Sequence, residues 1–312
     1  MSAGCRSAHR PPATAFIKMY VSGFTIARNV VKADYPLREA VFSILDLCDE
    51  FVIAVGNSDD GTLEFVQSFN YPKIKIIETV WDDTLRTGGR LLAVETDKAK
   101  AKAAVNPNAD WLFYIQADEC VHEKDLPVIR AAMEKHLNNH QVEGLLFDYL
   151  HFYGSYDYVG DSRRWYRHEI RVIRNRSDIF SYRDAQGFRK LPNDKLTVAS
   201  CGAKMYHYGW VKHPDAQQQK QLQFHRLWHN DEYMEKKVAA ADTFDYSNID
   251  SLQKFNGTHP AVLQDRIARM NWSFDFDISR KKMGLKSRFL HWIEQKTGWR
   301  VGEYRNYRLK QF

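Results

Sequence analysis

The chain has 312 residues, 44% hydrophobic and 27% charged, an ordinary globular composition and long enough for one large α/β domain with an appendage. It contains no run of about 18 apolar residues, so no membrane-spanning helix is expected. A formal net charge of +6 fits nucleic acid, anionic lipid or a phosphate-bearing substrate equally well.

Residues 1–15 carry Arg6, His9, Arg10, Pro11 and Pro12 without an apolar core, and read as a disordered leader rather than a secretory signal. Four cysteines, Cys5, Cys48, Cys120 and Cys201, lack CxxC spacing, which argues against a zinc ribbon or a disulfide framework and for a reducing cytoplasm. An apolar, β-prone strand is predicted at 16–21. A helix opens at Asp34-Tyr35-Pro36, with Leu37, Ala40, Val41, Ile44 and Leu45 on one face. Further strands are predicted at 51–55, 74–80 and from Trp111, with helices at 62–69 and 88–104 between them. Strands alternating with helices at this spacing argue for βαβ units and a mostly parallel sheet.

Beyond Asp118 the pattern changes. A helix is predicted from 125 to about 136, a strand at 144–153, and a short alternating segment at 168–174. The stretch 154–188 is dense in Tyr, Arg and Asp and has little regular periodicity, as a substrate-facing region would. From 214 onward long polar helices and a basic tail are expected. The domain reading is therefore a leader at 1–15, an α/β domain at 16–213 and a helical extension at 214–312.

Two acidic turns follow predicted strands. Trp111-Leu112-Phe113-Tyr114-Ile115 runs into Gln116-Ala117-Asp118-Glu119, and the strand at 51–55 runs into Asn57-Ser58-Asp59-Asp60-Gly61-Thr62. Carboxylates past the C-terminal ends of parallel strands stand where open α/β sheets bind ligands. Each turn also has a plainer reading, a solvated acidic loop for the first and a helix cap for the second.

The segment 19–151, roughly the first half of the chain, resembles family 2 glycosyltransferases of the GT-A fold. The resemblance rests on Ile26-Ala27-Arg28-Asn29 after the first strand, Asp59-Asp60-Gly61-Thr62 after the second, and Gln116-Ala117-Asp118 in the place of an Asp-x-Asp metal motif. It implies a GT-A-type (Rossmann-like), mostly parallel sheet flanked by helices, and a nucleotide-sugar donor with a divalent cation, Mn²⁺ or Mg²⁺, on its diphosphate. Asn29, Asp59, Asp60 and Gln116 would then meet the nucleotide sugar and Asp118 the metal. Gln116 departs from the motif by bringing no charge, and Glu119 is the neighbour that could compensate.

The same resemblance implies a His returning to the metal, which His207 in Met205-Tyr206-His207-Tyr208-Gly209-Trp210 could be, with His213 as the alternative. Read alone, a His flanked by aromatics is more often a packed or surface histidine than a ligand. A base for an inverting transfer would precede that His, making Asp184 the first candidate and Glu169 the second. Glu169 also reads as a surface partner of Arg167 or Arg171. Arg171, with Arg163, Arg164 and Arg174, could hold a diphosphate.

The expected activity is a metal-dependent, inverting glycosyltransferase of glycan biosynthesis, with a glycan, lipid-linked or small-molecule acceptor and no nucleic-acid partner. A nucleotidyltransferase and a non-catalytic nucleotide-sugar- or glycan-binding protein are the alternatives. Phe289, Leu290, Trp292 and Ile293 among Lys286, Arg288 and Lys296 suggest either peripheral contact with the inner membrane from the cytoplasm or a helix packed on the main domain.

Overall fold

In a computed structural model the described residues are 18–85, 87–226 and 243–311. The leader expected at 1–15, with Cys5, lies outside them. Cys48, Cys120 and Cys201 are buried free thiols.

The strands β1 (Val21–Ala27), β2 (Glu50–Gly56), β3 (Ile74–Thr79) and β4 (Trp111–Tyr114) lie side by side in the order β3-β2-β1-β4, all parallel. Helices α1 (Leu37–Ile44), α2 (Thr62–Gln67) and α3 (Arg90–Ala103) connect them. Period-two alternation sends successive side chains to opposite faces. Phe51, Ile53 and Val55 join Leu37, Val41 and Ile44 of α1 in one core, whereas Val52 and Ala54 join Ala99 and Ala103 of α3 in another. The parallel order continues through β6 (Gly144–Tyr153) and β11 (Asp194–Trp210), interrupted by the antiparallel β8 (His168–Arg174) between β4 and β6. The chain is thus of the α/β class expected, a mostly parallel sheet flanked by helices.

Three details differ from the sequence reading. Of the strand expected at 16–21, residues 16 and 17 lie outside the described residues, and β1 begins at Val21 and runs through Ser22, Gly23 and Thr25, which dilute its apolar signal. Gly23 belongs there because a Cβ would stand 2.3 Å from the Phe51 ring. The stretch 154–188 is richer in structure than its composition suggests, holding β7 (Ser155–Gly160), β9 (Ile179–Tyr182) and the start of β10 (Gly187–Lys190) besides β8. A three-residue strand, β5 (Glu119–Val121), pairs antiparallel with β11.

The C-terminal part holds α5 (Pro214–Arg226), α6 (Gln264–Ala268) and α7 (Leu285–Thr297), but also strands β12 (Leu252–Lys254) and β13 (Tyr307–Leu309), which pair with β7 and β11. Helix α7 packs by one side only. Leu290 and Ile293 are half-buried and Glu294 binds Arg163 and Arg300, while Leu285, Phe289 and Trp292 are 86%, 61% and 57% exposed. Among the described residues no helix is long and apolar enough to cross a membrane.

Candidate active site

The chain builds outward through β1, β2 and β3, then returns to place β4 on the other side of β1. Such a reversal leaves a crevice at the strand C-termini. A cleft of about 1040 Å³ opens there, lined among others by Arg28, Asn29, Trp81, Gln116, Asp118, Asp184, His207 and Lys220. Five of the residues singled out from the sequence, Asn29, Gln116, Asp118, Asp184 and His207, therefore meet in one cavity.

Asp118 follows β4 and is nearly buried. Strand β11 runs past it, the Tyr208 amide donating to the Asp118 carbonyl at 2.7 Å. That register brings His207 Nε2 to 3.7 Å from Asp118 Oδ2, and Lys220 of α5 donates to the same oxygen at 2.9 Å. Burial pushes the Asp118 carboxyl up, but Lys220, His207 and Lys212 outweigh it and hold it well below the usual carboxylate range.

A histidine relay sets the tautomer of His207. His151 Nε2 lies 2.8 Å from the Tyr166 carbonyl, which can only accept, so this nitrogen carries the proton. Burial lowers the pKa of both histidines, so both are neutral near pH 7. His151 Nδ1 is then an acceptor, and His207 Nδ1, at 3.2 Å, must donate to it. His207 Nε2 is left as a lone pair facing Asp118. A nitrogen lone pair and a carboxylate oxygen in one cleft fit Mn²⁺ or Mg²⁺. Among the described residues no group of three His, Cys, Asp or Glu side chains converges, so further ligands would come from the donor or water.

Asp184 sits in the turn between β9 and β10, flanked by Arg183 and Ala185 at φ 57° and 61°. Its Oδ1 is buried without a hydrogen-bond partner, and burial raises its pKa. Gln116 explains its own departure from Asp. Its Nε2 donates to the Ala185 carbonyl at 3.1 Å, tying the Asp184 turn to the end of β4, which a carboxylate could not do.

Several expectations need correction. Glu119 cannot compensate for Gln116, because its two oxygens accept from Tyr149, the Gln116 amide and Arg171 (2.8 and 2.9 Å) in a site with no solvent access. Arg171 is therefore part of the core and holds no diphosphate. Of the other arginines, Arg163 binds Glu294 and Arg174 caps the carbonyls that follow α4 (Leu126–His136), so only Arg164 lines the cleft.

Asp60 accepts from the Thr62 amide and hydroxyl and from the Lys32 amide, while Asp59 pairs loosely with Lys32 at 3.5 Å; neither lines the cleft. Asn29 instead ties that turn to the site, its Oδ1 accepting from the Asp59 amide. Glu169 is buried rather than paired at the surface. Burial and the Glu119 and Asp184 carboxylates, opposed by Arg171, push it up to about 8, and it does not line the cleft. His213 lies outside the cleft, beside Asp215.

Residues the sequence reading missed complete the walls. Arg28 forms a bidentate pair with Asp83 and stands 5.3 Å over the Trp81 ring, a polar-edged aromatic wall beside the end of β1. Gly56 makes room for Trp81, since a Cβ would lie 2.2 Å from its Nε1. Lys220 and His151 carried no local signal, one lying in a polar helix and the other in an aromatic strand.

No protein-family model matches the chain, and no curated protein matches it. Solved structures similar to it include S. aureus TarS, 13% identical over 72% of this chain and 41% of that one, with a TM-score of 0.37. S. aureus TarS 1–349 in complex with UDP is 20% identical over 44% and 37%, with a TM-score of 0.32. Glucosyl-3-phosphoglycerate synthase from Mycobacterium tuberculosis, solved with Mn²⁺, UDP and glucosyl-3-phosphoglycerate, is 18% identical over 47% and 52%, with a TM-score of 0.29. The chain spans about two fifths of the length of the TarS structures.

Proposed function

We propose that the protein is a glycosyltransferase that moves a sugar from a nucleotide-sugar donor to an acceptor hydroxyl with inversion. The observation that carries this reading is a pair of carboxylates in one switch-point cleft whose environments push them apart. Asp118 is held ionised among cationic and imidazole groups, and Asp184 is raised by burial. Two carboxyl groups tuned in opposite directions suit two different roles.

In this reading the Trp81–Arg28 wall and Asn29 receive the nucleoside, and Asp118 with His207 Nε2 would hold a divalent cation. Such a cation supplies charge stabilisation for the departing nucleoside diphosphate. Asp184 takes the acceptor's hydroxyl proton as the acceptor oxygen bonds to the anomeric carbon and the bond from that carbon to the diphosphate breaks. Gln116 keeps the Asp184 turn beside the donor end of the cleft. His151 keeps the His207 lone pair directed at Asp118.

Incubating the protein with individual nucleotide sugars and Mn²⁺, and measuring nucleoside diphosphate release against an EDTA control, tests the proposal. Release of pyrophosphate from a nucleoside triphosphate and a sugar phosphate would instead mark a nucleotidyltransferase. Binding of a nucleotide sugar with no turnover would mark a binding protein.

The exposed stripe Leu285, Phe289 and Trp292, spaced i, i+4, i+7 and set among exposed Lys286, Arg288 and Lys296, has the make-up of a helix that lies on an anionic bilayer. It would suit an acceptor presented at a membrane surface.

A further inference from the structure

Lys220 stands at the focus of the cleft. Its ammonium donates to Asp118 Oδ2 at 2.9 Å and to the Gly209 carbonyl at 2.7 Å, with Nζ 5.0 Å from the centre of the Tyr35 ring. An ammonium has three N–H groups, and these two acceptors use two of them. Gly209 is what allows the approach, because a Cβ there would stand 2.7 Å from both Asp118 Oδ2 and His207 Nε2. Lys220 nonetheless lines the cleft and is itself only 9% exposed. The long methylene stem of a lysine lets its head move several ångströms while the helix stays fixed.

The charges at this point set what can bind. Asp118 brings one negative charge and Lys220 one positive, so the pair is neutral. A divalent cation arriving alone would meet a carboxylate already neutralised by an ammonium. A nucleotide-sugar diphosphate arriving alone would meet an ammonium already held by a carboxylate. Arriving together, the two negative charges of the diphosphate and the two positive charges of the cation cancel. Lys220 is then free to turn its donors onto a phosphate oxygen while Asp118 turns to the cation.

We propose that Lys220 is a diphosphate-binding residue that occupies the cation's place on Asp118 until the donor arrives, so that metal and donor bind as a coupled pair. This rests on the nucleotide-sugar reading of the cleft and adds the residue that makes metal binding conditional. The coupling is a free energy shared by the two ligands, so each strengthens the other by the same factor.

The test titrates the full chain with Mn²⁺, reading free Mn²⁺ by electron paramagnetic resonance, without nucleotide and with UDP, GDP or CDP. Wild-type protein should bind Mn²⁺ at least about tenfold more tightly when the nucleoside diphosphate that fits is present. Lys220→Met should bind Mn²⁺ alone at least about tenfold more tightly than wild type, and should lose a similar factor in nucleoside diphosphate affinity measured in EDTA. Equal Mn²⁺ affinity of the wild type with and without the bound nucleotide would overturn the proposal, as would a folded Lys220→Met variant that behaves like wild type.

If Lys220→Met does not fold, Asp118→Asn serves. It removes the charge that holds Lys220 and leaves only a weaker amide acceptor, so nucleoside diphosphate affinity in EDTA should hold or rise, and a fall would count against the proposal. Failure of every nucleoside diphosphate to bind would sink the glycosyltransferase reading. The Mn²⁺ comparison between wild type and Lys220→Met needs no nucleotide, and still decides whether Lys220 guards Asp118.

Discussion

His151 and His207 face each other Nδ1 to Nδ1 at 3.2 Å, across the parallel pairing of β6 and β11 that puts them in register. With the Tyr166 carbonyl fixing the far end, this contact is what leaves His207 Nε2 unprotonated beside Asp118. Replacing His151 with Phe should therefore lower nucleoside diphosphate affinity in Mn²⁺ by about 10–100-fold, the usual cost of losing a residue that orients a metal-binding histidine. A residue acting only through packing would leave that affinity intact while lowering the melting temperature. Calorimetric titration in Mn²⁺ and in EDTA separates the two, because the loss is expected in Mn²⁺ alone.

Asp118→Ala tests the centre of the site. Its partner Lys220 is buried with it, so removing the carboxylate strands a charge, at a cost of about 3–5 kcal/mol for a buried pair. That is a larger loss of stability than a ligand-facing turn alone would suggest. Asp118→Asn should be milder because the amide oxygen can still accept from Lys220. Both variants should lose donor affinity in Mn²⁺, and chemical denaturation measures the stability difference between them.

Asp184→Asn should leave donor binding nearly unchanged while transfer falls by about 10²–10⁴-fold, the contribution of a general base. The pH profile adds a second readout. Burial raises the Asp184 pKa above its ordinary value, and the base works only when deprotonated. Wild-type kcat should therefore rise with pH through that raised pKa, and the ascending limb should be absent in Asp184→Asn. A variant with wild-type transfer would remove Asp184 from the mechanism.

Glu169 makes a prediction about stability rather than catalysis. Its pKa is pushed up to about 8 in the folded chain from 4.5, so the folded state binds a proton that the unfolded state has released between those values. Stability must then fall as pH rises through that window. Glu169→Gln keeps the shape and removes the titration, and should flatten the decline by on the order of 1–4 kcal/mol at pH 8. Urea denaturation at pH 5 and pH 8 checks it. The same change in stability between the two pH values in wild type and in Glu169→Gln would show that Glu169 does not titrate in that window.

The exposed face of α7 predicts cosedimentation with vesicles containing an anionic phospholipid and none with neutral ones. Phe289→Glu with Trp292→Glu should abolish it without unfolding the protein, since both side chains are more than half exposed. Binding that survives the double change would place the contact elsewhere.

Much of the frame was legible locally. The continuous apolar runs at 51–55 and from Trp111 and the amphipathic face of 37–45 announce their elements, because a parallel strand covered on both faces is apolar throughout and a helix facing a core repeats its apolar residues with its own period. Parallel pairing of β1, β2 and β4 then puts the turns holding Asp59 and Asp118 on one edge of the sheet. The extent of the first strand is less legible, because Ser22, Gly23 and Thr25 carry little hydrophobic signal.

The chemistry of the cleft was decided only by tertiary structure. Lys220 reaches Asp118 from 102 residues away, and Arg171 reaches Glu119 from 52. A charged side chain reads the same in sequence whether it meets solvent, a ligand or a buried partner. Its role follows from which strand lies beside it, and that pairing is long-range. So the sequence by itself determined the order of elements, the sheet edge and the residue types at its turns. The folded chain decided that Glu119 and Arg171 neutralise each other in the core, that Gln116 anchors a turn, and that Asp118 faces His207 and Lys220 in the cleft.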